Sequence, residues 1–269
     1  MTDIPLGQDS AYPESYAPDV LAPIPRAQAR ADLGIGAPLP FVGVDIWNAW
    51  ELTWLTPGGK PVTAVCELKV PADSENIVES KSLKLYLNSF AMTEYASTAE
   101  VAALIKADLA NVIGSPVEID LLVGEPGNAS VGRLPGESLD DLQVQCQFDE
   151  VDPTSLTTDG DTIVEEALHT HLLRSLCPVT AQPDFGSLLV DYRGPRIDRE
   201  GLLRYIVSFR QHNDFHEACV ERMFVEILER CDCEQLSVYA RYNRRGGIDI
   251  NPFRSNVSAS ADNVRLWRQ

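Results

Sequence analysis

The chain carries one short sequence pattern twice, and this internal repeat constrains the fold more than any other feature. Tyr86-Leu87-Asn88-Ser89-Phe90 recurs as Tyr205-Ile206-Val207-Ser208-Phe209. A strand-like run precedes each copy, at residues 62–70 and 187–192. Because repetition of one pattern of elements indicates repeated structural units, the sequence predicts a duplicated α+β fold.

An amphipathic helix is predicted after each copy. The first begins at a capping box that runs from Ser97 to Glu100, and apolar residues then recur at helical spacing. The second contains the apolar residues of 220–228. An alternating strand follows each helix, at 117–121 and 236–240. A further helix is predicted around residues 163–173.

The repeat divides the chain into three segments. Residues 1–40 are rich in Pro, Ala and Gly and predict an extended arm with few helix or strand signals, which is either mobile or packed along a partner subunit. Residues 41–130 form the first predicted module and residues 131–269 the second. The boundary is placed in the Gly- and Pro-rich stretch 124–136.

Composition excludes several classes of function. The chain has 22 basic and 40 acidic residues and a net charge of −18, which opposes non-specific binding to nucleic acid. No apolar run approaches the roughly 18 residues of a membrane span. The first eight residues do not form a basic region followed by an apolar stretch, so no secretory signal is predicted. We therefore expect a cytoplasmic protein without a membrane partner.

The residues most suggestive of chemistry are Cys177 and Asp184, which share a proline-braced loop, and His216, which follows about thirty residues later. A thiol attacks as a thiolate, so it needs a proton acceptor or a positive field nearby. A second acid or base then manages the proton of the attacked group. The alternative is that Cys177 is a small buried hydrophobe. The other five cysteines show no C-x-x-C spacing and are interpreted as structural and reduced.

Three motifs carry a resemblance to a known family. They are C-P-V-T-x-Q-P-D-F at 177–185, S-F-R-x-H-x-D-F-H-E at 208–217 and E-S-K-S-L-K-L-Y at 79–86. Together they resemble the 7-cyano-7-deazaguanine reductases, which are NADPH-dependent nitrile reductases of queuosine biosynthesis. The resemblance also covers Leu6-Gly7, Tyr12-Pro13 and 245–252, so it spans nearly the whole chain. It implies tandem tunnelling-fold modules, with antiparallel sheets and helices packed on one face, and a homodimer.

The resemblance also implies residue roles. Cys177 would attack the nitrile of a 7-deazaguanine substrate to form a thioimidate, while Asp184 and His216 would move protons. The substrate would be bound by Val78, Glu79, Ser80, His216 and Glu217. The cofactor would be NADPH, bound by Ser80, Lys81, Arg245 and Gly246. Neither Gly34-Ile35-Gly36 nor Gly58-Gly59-Lys60 completes a glycine-rich nucleotide motif, so the cofactor follows from the resemblance alone.

Other interpretations remain open at this level. A thiol hydrolase acting on a purine-like nitrile or amide could use the same Cys177 and Asp184. A zinc-dependent cyclohydrolase could use His212, Asp214 and His216 as ligands if that segment is extended. A purine-binding module without catalysis is a third alternative. For single residues, the simpler possibilities are a turn aspartate at 184, a partly buried histidine at 216 and solvated surface acids at 79 and 217.

Overall fold

The computed structural model describes residues 12–124, 131–147 and 149–269, with only the backbone at 161. The chain divides into two compact units. The described part of the first unit comprises residues 12–32, 45–124 and 244–249, and the remaining described residues form the second unit. Leu6-Gly7, the start of the predicted arm and most of the predicted linker lie outside the described residues. The division predicted at residue 130 stays a prediction.

The first unit is an antiparallel sheet with helices. Its elements are β1 (Pro23–Pro25), α1 (Arg26–Asp32), β2 (Val42–Leu55), β3 (Pro61–Pro71), β4 (Asn76–Val78), α2 (Ser80–Asn88), α3 (Thr98–Ile113) and β5 (Glu118–Val123). Strands β5, β3 and β2 are neighbours in that order, and α3 packs against β5. The first three residues of β2 are assigned to the second unit.

The second unit is built on longer strands. Its elements are β6 (Glu137–Ser138), β7 (Thr158–Leu176), β8 (Pro183–Ile197), α4 (Arg199–Ser208), α5 (His216–Arg230), β9 (Gln235–Tyr242) and β10 (Ile248–Ser255), of which the first two residues of β10 are assigned to the first unit. The strand order is β10, β9, β8, β7, β6, and all pairs among β7 to β10 are antiparallel. The two-residue β6 pairs parallel to β7. Helix α5 packs on β9. The predicted α+β class is confirmed.

Most predicted elements are present. Ser97 is the N-cap of α3 and accepts a hydrogen bond from the Glu100 N–H at 3.2 Å. The apolar face of the predicted second helix is buried in α5. The strands predicted at 62–70, 117–121, 187–192 and 236–240 lie within β3, β5, β8 and β9, apart from residue 117. Among the described residues, no helix is long and apolar enough to cross a membrane.

The helix predicted around 163–173 is wrong, because this segment belongs to β7. The pairing of β7 with β8 shifts register between Thr170 and Leu173. The buried positions therefore run Leu168, Thr170 and then Leu173, Ser175, so one alternation is displaced by an extra residue. A bulge of this kind shifts the spacing of buried residues from two toward the three to four that is typical of a helix.

The described part of the predicted arm is ordered against its own unit. It contains β1 and α1, which were not predicted, and β1 pairs with β4. The Glu79 N–H donates to the Ala22 carbonyl at 2.8 Å. The Ala17 N–H donates to the Ser89 hydroxyl at 3.1 Å. The segment thus lies along the start and end of α2.

The repeat is preserved in side-chain detail. The rings of Tyr86 and Phe90 meet at 5.2 Å and 86°, and those of Tyr205 and Phe209 at 5.3 Å and 86°. Each tyrosine hydroxyl donates at 2.6 Å to an acid of the next helix. In both units a serine hydroxyl bonds the tyrosine carbonyl at 2.6 Å. The same short sequence therefore builds the same packing twice.

Candidate active site

The loop between β7 and β8 holds Cys177 in a fixed frame. The Cys177 N–H donates to the Gln182 carbonyl at 2.9 Å, and the Ala181 N–H donates to the Cys177 carbonyl at 3.0 Å. Ala181 takes a left-handed conformation, with φ of 53°, to close this turn. The Cys177 residue is 3% exposed, so its thiol lies in a nearly enclosed position.

A second set of backbone bonds ties this loop to the segment before α5. The Leu176 N–H donates to the His212 carbonyl at 2.8 Å, and the Asp214 N–H donates to the Leu176 carbonyl at 3.1 Å. This short parallel bridge fixes the residue before Cys177 against the residues before His216. The two motifs that are about thirty residues apart in sequence therefore meet in the fold.

Asp184 and His216 form a pair within this site. Asp184 lies near the start of β8, directly opposite Ser175 of β7, and is 7% exposed. Its Oδ2 lies 3.6 Å from the Nε2 of His216, the first residue of α5. This separation is too long for a hydrogen bond but short enough for strong attraction if the imidazole is protonated. A proton held by His216 would thus face the carboxylate.

Glu217 follows in the first turn of α5 and is 3% exposed. A buried carboxylate is costly to desolvate, so such groups are kept where they bind a partner or a ligand. Burial excludes the interpretation of Glu217 as a solvated surface acid. Its oxygens can accept two hydrogen bonds from neighbouring donors on one ligand edge.

The predicted substrate residues of the first unit surround the start of α2. Val78 is 1% exposed and pairs with Pro23, and Glu79 is fully buried. The two carboxylate oxygens of Glu79 accept the N–H groups of Lys81 and Ser82, each at 2.7 Å. Glu79 is therefore the N-cap of α2, a role that the sequence analysis did not assign to it. Ser80 is the first residue of this helix.

The predicted cofactor residues also belong to the first unit. Residues 244–249 lie there because the Trp50 N–H donates to the Gly247 carbonyl at 2.9 Å and the Asn48 amide donates to Asp249 at 2.8 Å. Arg245 and Gly246 thus share a unit with Lys81, although about 160 residues separate them in sequence.

A shallow cavity of about 170 Å³ lies beside Gly246. A Cβ atom at Gly246, where φ is 63°, would lie 3.2 Å from the Nζ of Lys84. Lys84 lies three residues beyond Lys81 on α2, and its ammonium is the one that approaches the glycine. A cationic side chain against a glycine backbone that lines a cavity is suited to a phosphate of a dinucleotide.

Comparison with known proteins identifies the family. The family model described as "Nitrile reductase, 7-cyano-7-deazaguanine-reductase N-term" matches residues 12–121, and the model described as "QueF-like protein" matches residues 183–261. The NADPH-dependent 7-cyano-7-deazaguanine reductase of Desulfotalea psychrophila is 49% identical over 269 residues, which cover 99% of this chain and 97% of that protein. The chain belongs to the 7-cyano-7-deazaguanine reductase family.

The family resemblance predicted from the three motifs is therefore confirmed, and with it an NADPH-dependent oxidoreductase. A crystal structure of the archaeosine synthase QueF-Like in the apo form also matches, with a TM-score of 0.31 and 16% identity. That match covers 39% of this chain and all of the other.

The metal interpretation finds no support among the side chains that the structure describes. No group of three His, Cys, Asp or Glu side chains within the described ranges converges on one point. His212 and His216 each face a different carboxylate, since His212 lies 3.7 Å from Asp214 and His216 lies 3.6 Å from Asp184.

Sequence reasoning missed four residues that lie beside the predicted ones. Lys84 is in the recognised E-S-K-S-L-K motif, and its spacing of three from Lys81 was the available signal. Ser175, Cys219 and Tyr242 are buried beside Asp184 and His216. Only the strand register and the start of α5 bring these three together, so no sequence pattern marks them.

Proposed function

We propose that this chain reduces the nitrile of 7-cyano-7-deazaguanine to the primary amine of 7-aminomethyl-7-deazaguanine in queuosine biosynthesis. The observation that carries this proposal is the loop that bears buried Cys177 and Asp184 and is hydrogen-bonded to the segment before His216, where His216 pairs with Asp184. The Desulfotalea psychrophila relative bears the same activity in its name at 49% identity. Family membership supports the reaction, and the site supplies residues of the required chemical types.

Cys177 is the proposed nucleophile. Its sulfur forms a bond to the electrophilic nitrile carbon, one π bond of the nitrile breaks, and the thiol proton passes to the nitrile nitrogen. The product is a thioimidate, in which the carbon is a better hydride acceptor than in the free nitrile. We assign this proton transfer to Asp184, because it shares the loop with Cys177 and is shielded from water.

Two reduction steps follow, and each adds one hydride and one proton to the former nitrile. The first gives a tetrahedral carbon, from which the sulfur leaves with a proton restored to Cys177 and an imine remains. The second gives the amine. We assign His216 to proton donation at the nitrogen, because its imidazole Nε2 lies 3.6 Å from the Asp184 carboxylate and an imidazole can both accept and donate a proton.

NADPH supplies the two hydrides, in accord with the name of the relative. The chain offers Ser80, Lys81, Arg245 and Gly246 to hold it, and Lys84 is adjacent to Gly246. In a chain of net charge −18, local cations are needed to attract a polyanionic cofactor. Glu217, Val78 and Glu79 are proposed to orient the substrate, with Glu217 accepting the ring N–H and exocyclic amine of its guanine-like edge.

A single assay separates this function from its alternatives. NADPH absorbance is followed with 7-cyano-7-deazaguanine as substrate, and the products are identified by mass. We expect two NADPH oxidised for each amine formed, with no loss of rate in chelator. Ammonia release without NADPH oxidation would indicate a thiol hydrolase, loss of turnover in chelator a zinc cyclohydrolase, and binding without turnover a purine-binding module.

We further propose that the protein acts on the free base in the cytoplasm as a homodimer, without direct contact to nucleic acid. The acidic charge supports the last point, because a phosphate backbone would be repelled. Sedimentation velocity at micromolar concentration tests the dimer, with a mass near 59 kDa expected from about twice 29.6 kDa.

A further inference from the structure

A buried polar group lies behind the Asp184 and His216 pair. It consists of Ser175 on β7, Cys219 on α5 and Tyr242 on β9, and Cys219 and Tyr242 are fully buried. The hydroxyls of Ser175 and Tyr242 both approach the Cys219 thiol, although neither hydroxyl completes a hydrogen bond of ideal geometry. Buried polar side chains in proteins are nearly always hydrogen-bonded, so a buried group with unsatisfied hydroxyls calls for an explanation.

The ring of Tyr242 lies against the His216 imidazole. The two ring centroids are 3.9 Å apart, and the planes are inclined by 56°. Tyr242 is the last residue of β9 and pairs with Gly186 of β8, two residues beyond Asp184. A Cβ atom at Gly186 would lie 3.2 Å from the Cδ1 of Tyr242, so the glycine leaves room for this ring.

The backbone at Tyr242 is fixed by hydrogen bonds on both sides of the Tyr242–Asn243 peptide. The Gln269 side-chain amide donates to the Tyr242 carbonyl at 2.9 Å, and the neighbouring Asn243 N–H donates to the Phe185 carbonyl at 2.8 Å. Because these bonds hold the backbone and the Tyr242 side chain is fully buried, the ring cannot turn away from His216 without disturbing the packing around it.

The polar group is electrically neutral. Burial raises the pKa of the Cys219 thiol well above its usual range, and the charges of Asp214 and Asp184 raise it further. Burial likewise raises the pKa of Tyr242. Cys219 is therefore a thiol rather than a second nucleophile.

The first unit lacks such a group at the matching positions. Trp54 stands in the place of Ser175, since each precedes the bridging leucine, and Val123 stands in the place of Tyr242 at the end of the last strand of its helix–strand pair. Glu100 stands in the place of Cys219, since each lies five residues beyond the bridged segment, at Tyr95 and Asp214. Val123 is 48% exposed. The polar group is thus confined to the unit that carries Cys177, which ties it to the chemistry rather than to the shared fold.

We propose that Tyr242 is a positioning residue, whose ring holds the His216 imidazole toward Asp184 while Ser175 and Cys219 support the ring from below. This inference rests on the proposed function, because it assumes that His216 moves a proton during reduction. Tyr242 does not touch the substrate in this proposal. Its effect on turnover passes entirely through His216.

A double-mutant cycle tests this dependence in the full-length protein. Turnover with NADPH and 7-cyano-7-deazaguanine is measured for Tyr242→Leu, His216→Ala and the double variant. We expect Tyr242→Leu to lower kcat about tenfold with little change in KM for the nitrile, since proton transfer depends on sub-ångström placement. In the His216→Ala background the same substitution should lower kcat by less than about twofold.

Two variants guard against a purely structural explanation. Tyr242→Phe keeps the ring and should restore kcat to within about threefold of wild type. Tyr205→Leu is the matched control, because Tyr205 is an equally buried tyrosine of the same unit whose ring packs on Phe209. It should lower the melting temperature without the loss of kcat. If Tyr242→Leu does not fold, Gly186→Ala disturbs the same ring and replaces it in the cycle.

The outcomes are distinct. A tenfold loss that disappears in the His216→Ala background supports the proposal. If His216→Ala lowers kcat, and Tyr242→Leu lowers kcat by the same further tenfold in that background, the positioning role is wrong while the proposed function stands. If His216→Ala turns over at the wild-type rate, the assignment of His216 in the proposed function fails, and the positioning role fails with it.

Discussion

The β2–β3 loop of the first unit and the β7–β8 loop of the second are closed by equivalent backbone hydrogen bonds, although the second loop is one residue longer, and they carry different side chains. The Thr56 N–H donates to the Lys60 carbonyl at 2.9 Å, as the Cys177 N–H does to Gln182 at 2.9 Å. The first loop starts at Thr56-Pro57 and ends at Pro61, and the second starts at Cys177-Pro178 and ends at Pro183. Where the second unit has Cys177 and Asp184, the first has Thr56 and Val62.

The frame around these loops is also shared. Leu55 bridges residues 93–95 as Leu176 bridges residues 212–214, with backbone bonds of 2.8–3.1 Å in both units. A frame that persists without the proposed nucleophile is a property of the repeated fold. If the proposed function is correct, the chemistry depends on a few side chains of the second loop rather than on the backbone that both loops share.

The largest effect is expected from the paired nucleophile positions. Cys177→Ala should reduce turnover by at least about a thousandfold, because the covalent route is lost. Thr56→Ala is the matched control and should leave kcat within about twofold, since its hydroxyl bonds the exposed Lys60 carbonyl at 3.2 Å. Steady-state NADPH oxidation gives both numbers. Equal losses in the two variants would mean that the loops act through structure.

Asp184 and its counterpart Val62 provide the second contrast. Asp184→Asn should keep substrate affinity and lower the reduction rate on the order of 10²–10⁴-fold, because the amide cannot carry the proton. Val62→Thr should leave the rate unchanged. Calorimetry and single-turnover kinetics separate binding from reaction. Wild-type turnover in Asp184→Asn would reduce Asp184 to a turn residue.

How far sequence reaches is shown by these same residues. The motifs around Cys177, Asp184 and His216 were recognisable, because long runs of adjacent letters identify a family. The sequence of 163–173 predicts a helix although the segment is a strand, because a bulge interrupts the alternation of buried and exposed residues. Glu79 as a helix cap and Arg245 in the first unit were out of reach, because backbone geometry and long-range pairing decide them. Tyr242 depends on the same long-range pairing.

Among the proposed substrate residues, Glu217 should contribute most to substrate affinity. Glu217→Ala should weaken binding by about 2–5 kcal/mol, because truncation leaves two ligand donors unpaired in an enclosed site. Glu217→Gln, which keeps the volume, should lie between that variant and wild type. Isothermal titration with the nitrile substrate measures both. Unchanged affinity in Glu217→Ala would move the anchor to another acid, with Glu79 the next to test.

The proposed cofactor residues test the contribution of the first unit. Lys81→Ala, Lys84→Ala and Arg245→Ala should each lower the preference for NADPH over NADH by about tenfold, since one cation on a phosphate contributes about 1.4 kcal/mol. Lys106→Ala, on α3, is a charge-matched control. The ratio of kcat/KM for the two cofactors is the quantity to compare. A ratio that is constant across all four variants would remove the proposed cofactor site from α2.

The smallest effect concerns the serines that the two units share. Ser89→Ala and Ser208→Ala each remove a hydroxyl that bonds a tyrosine carbonyl and accepts a backbone N–H. Each should cost about 1–3 kcal/mol of unfolding free energy, and the two values should agree within about 1 kcal/mol. Urea unfolding measures both. A large difference would show that the repeated packing has different importance in the two units.

The central claim is that only the second loop is chemically active, and intact-protein mass spectrometry tests it most directly. Protein is incubated with 7-cyano-7-deazaguanine in the absence of NADPH. We predict one covalent adduct per chain with the mass of the whole nitrile, absent in Cys177→Ala and retained in Thr56→Ala. An adduct that persists in Cys177→Ala, or none in wild type under conditions that support turnover, would contradict the account.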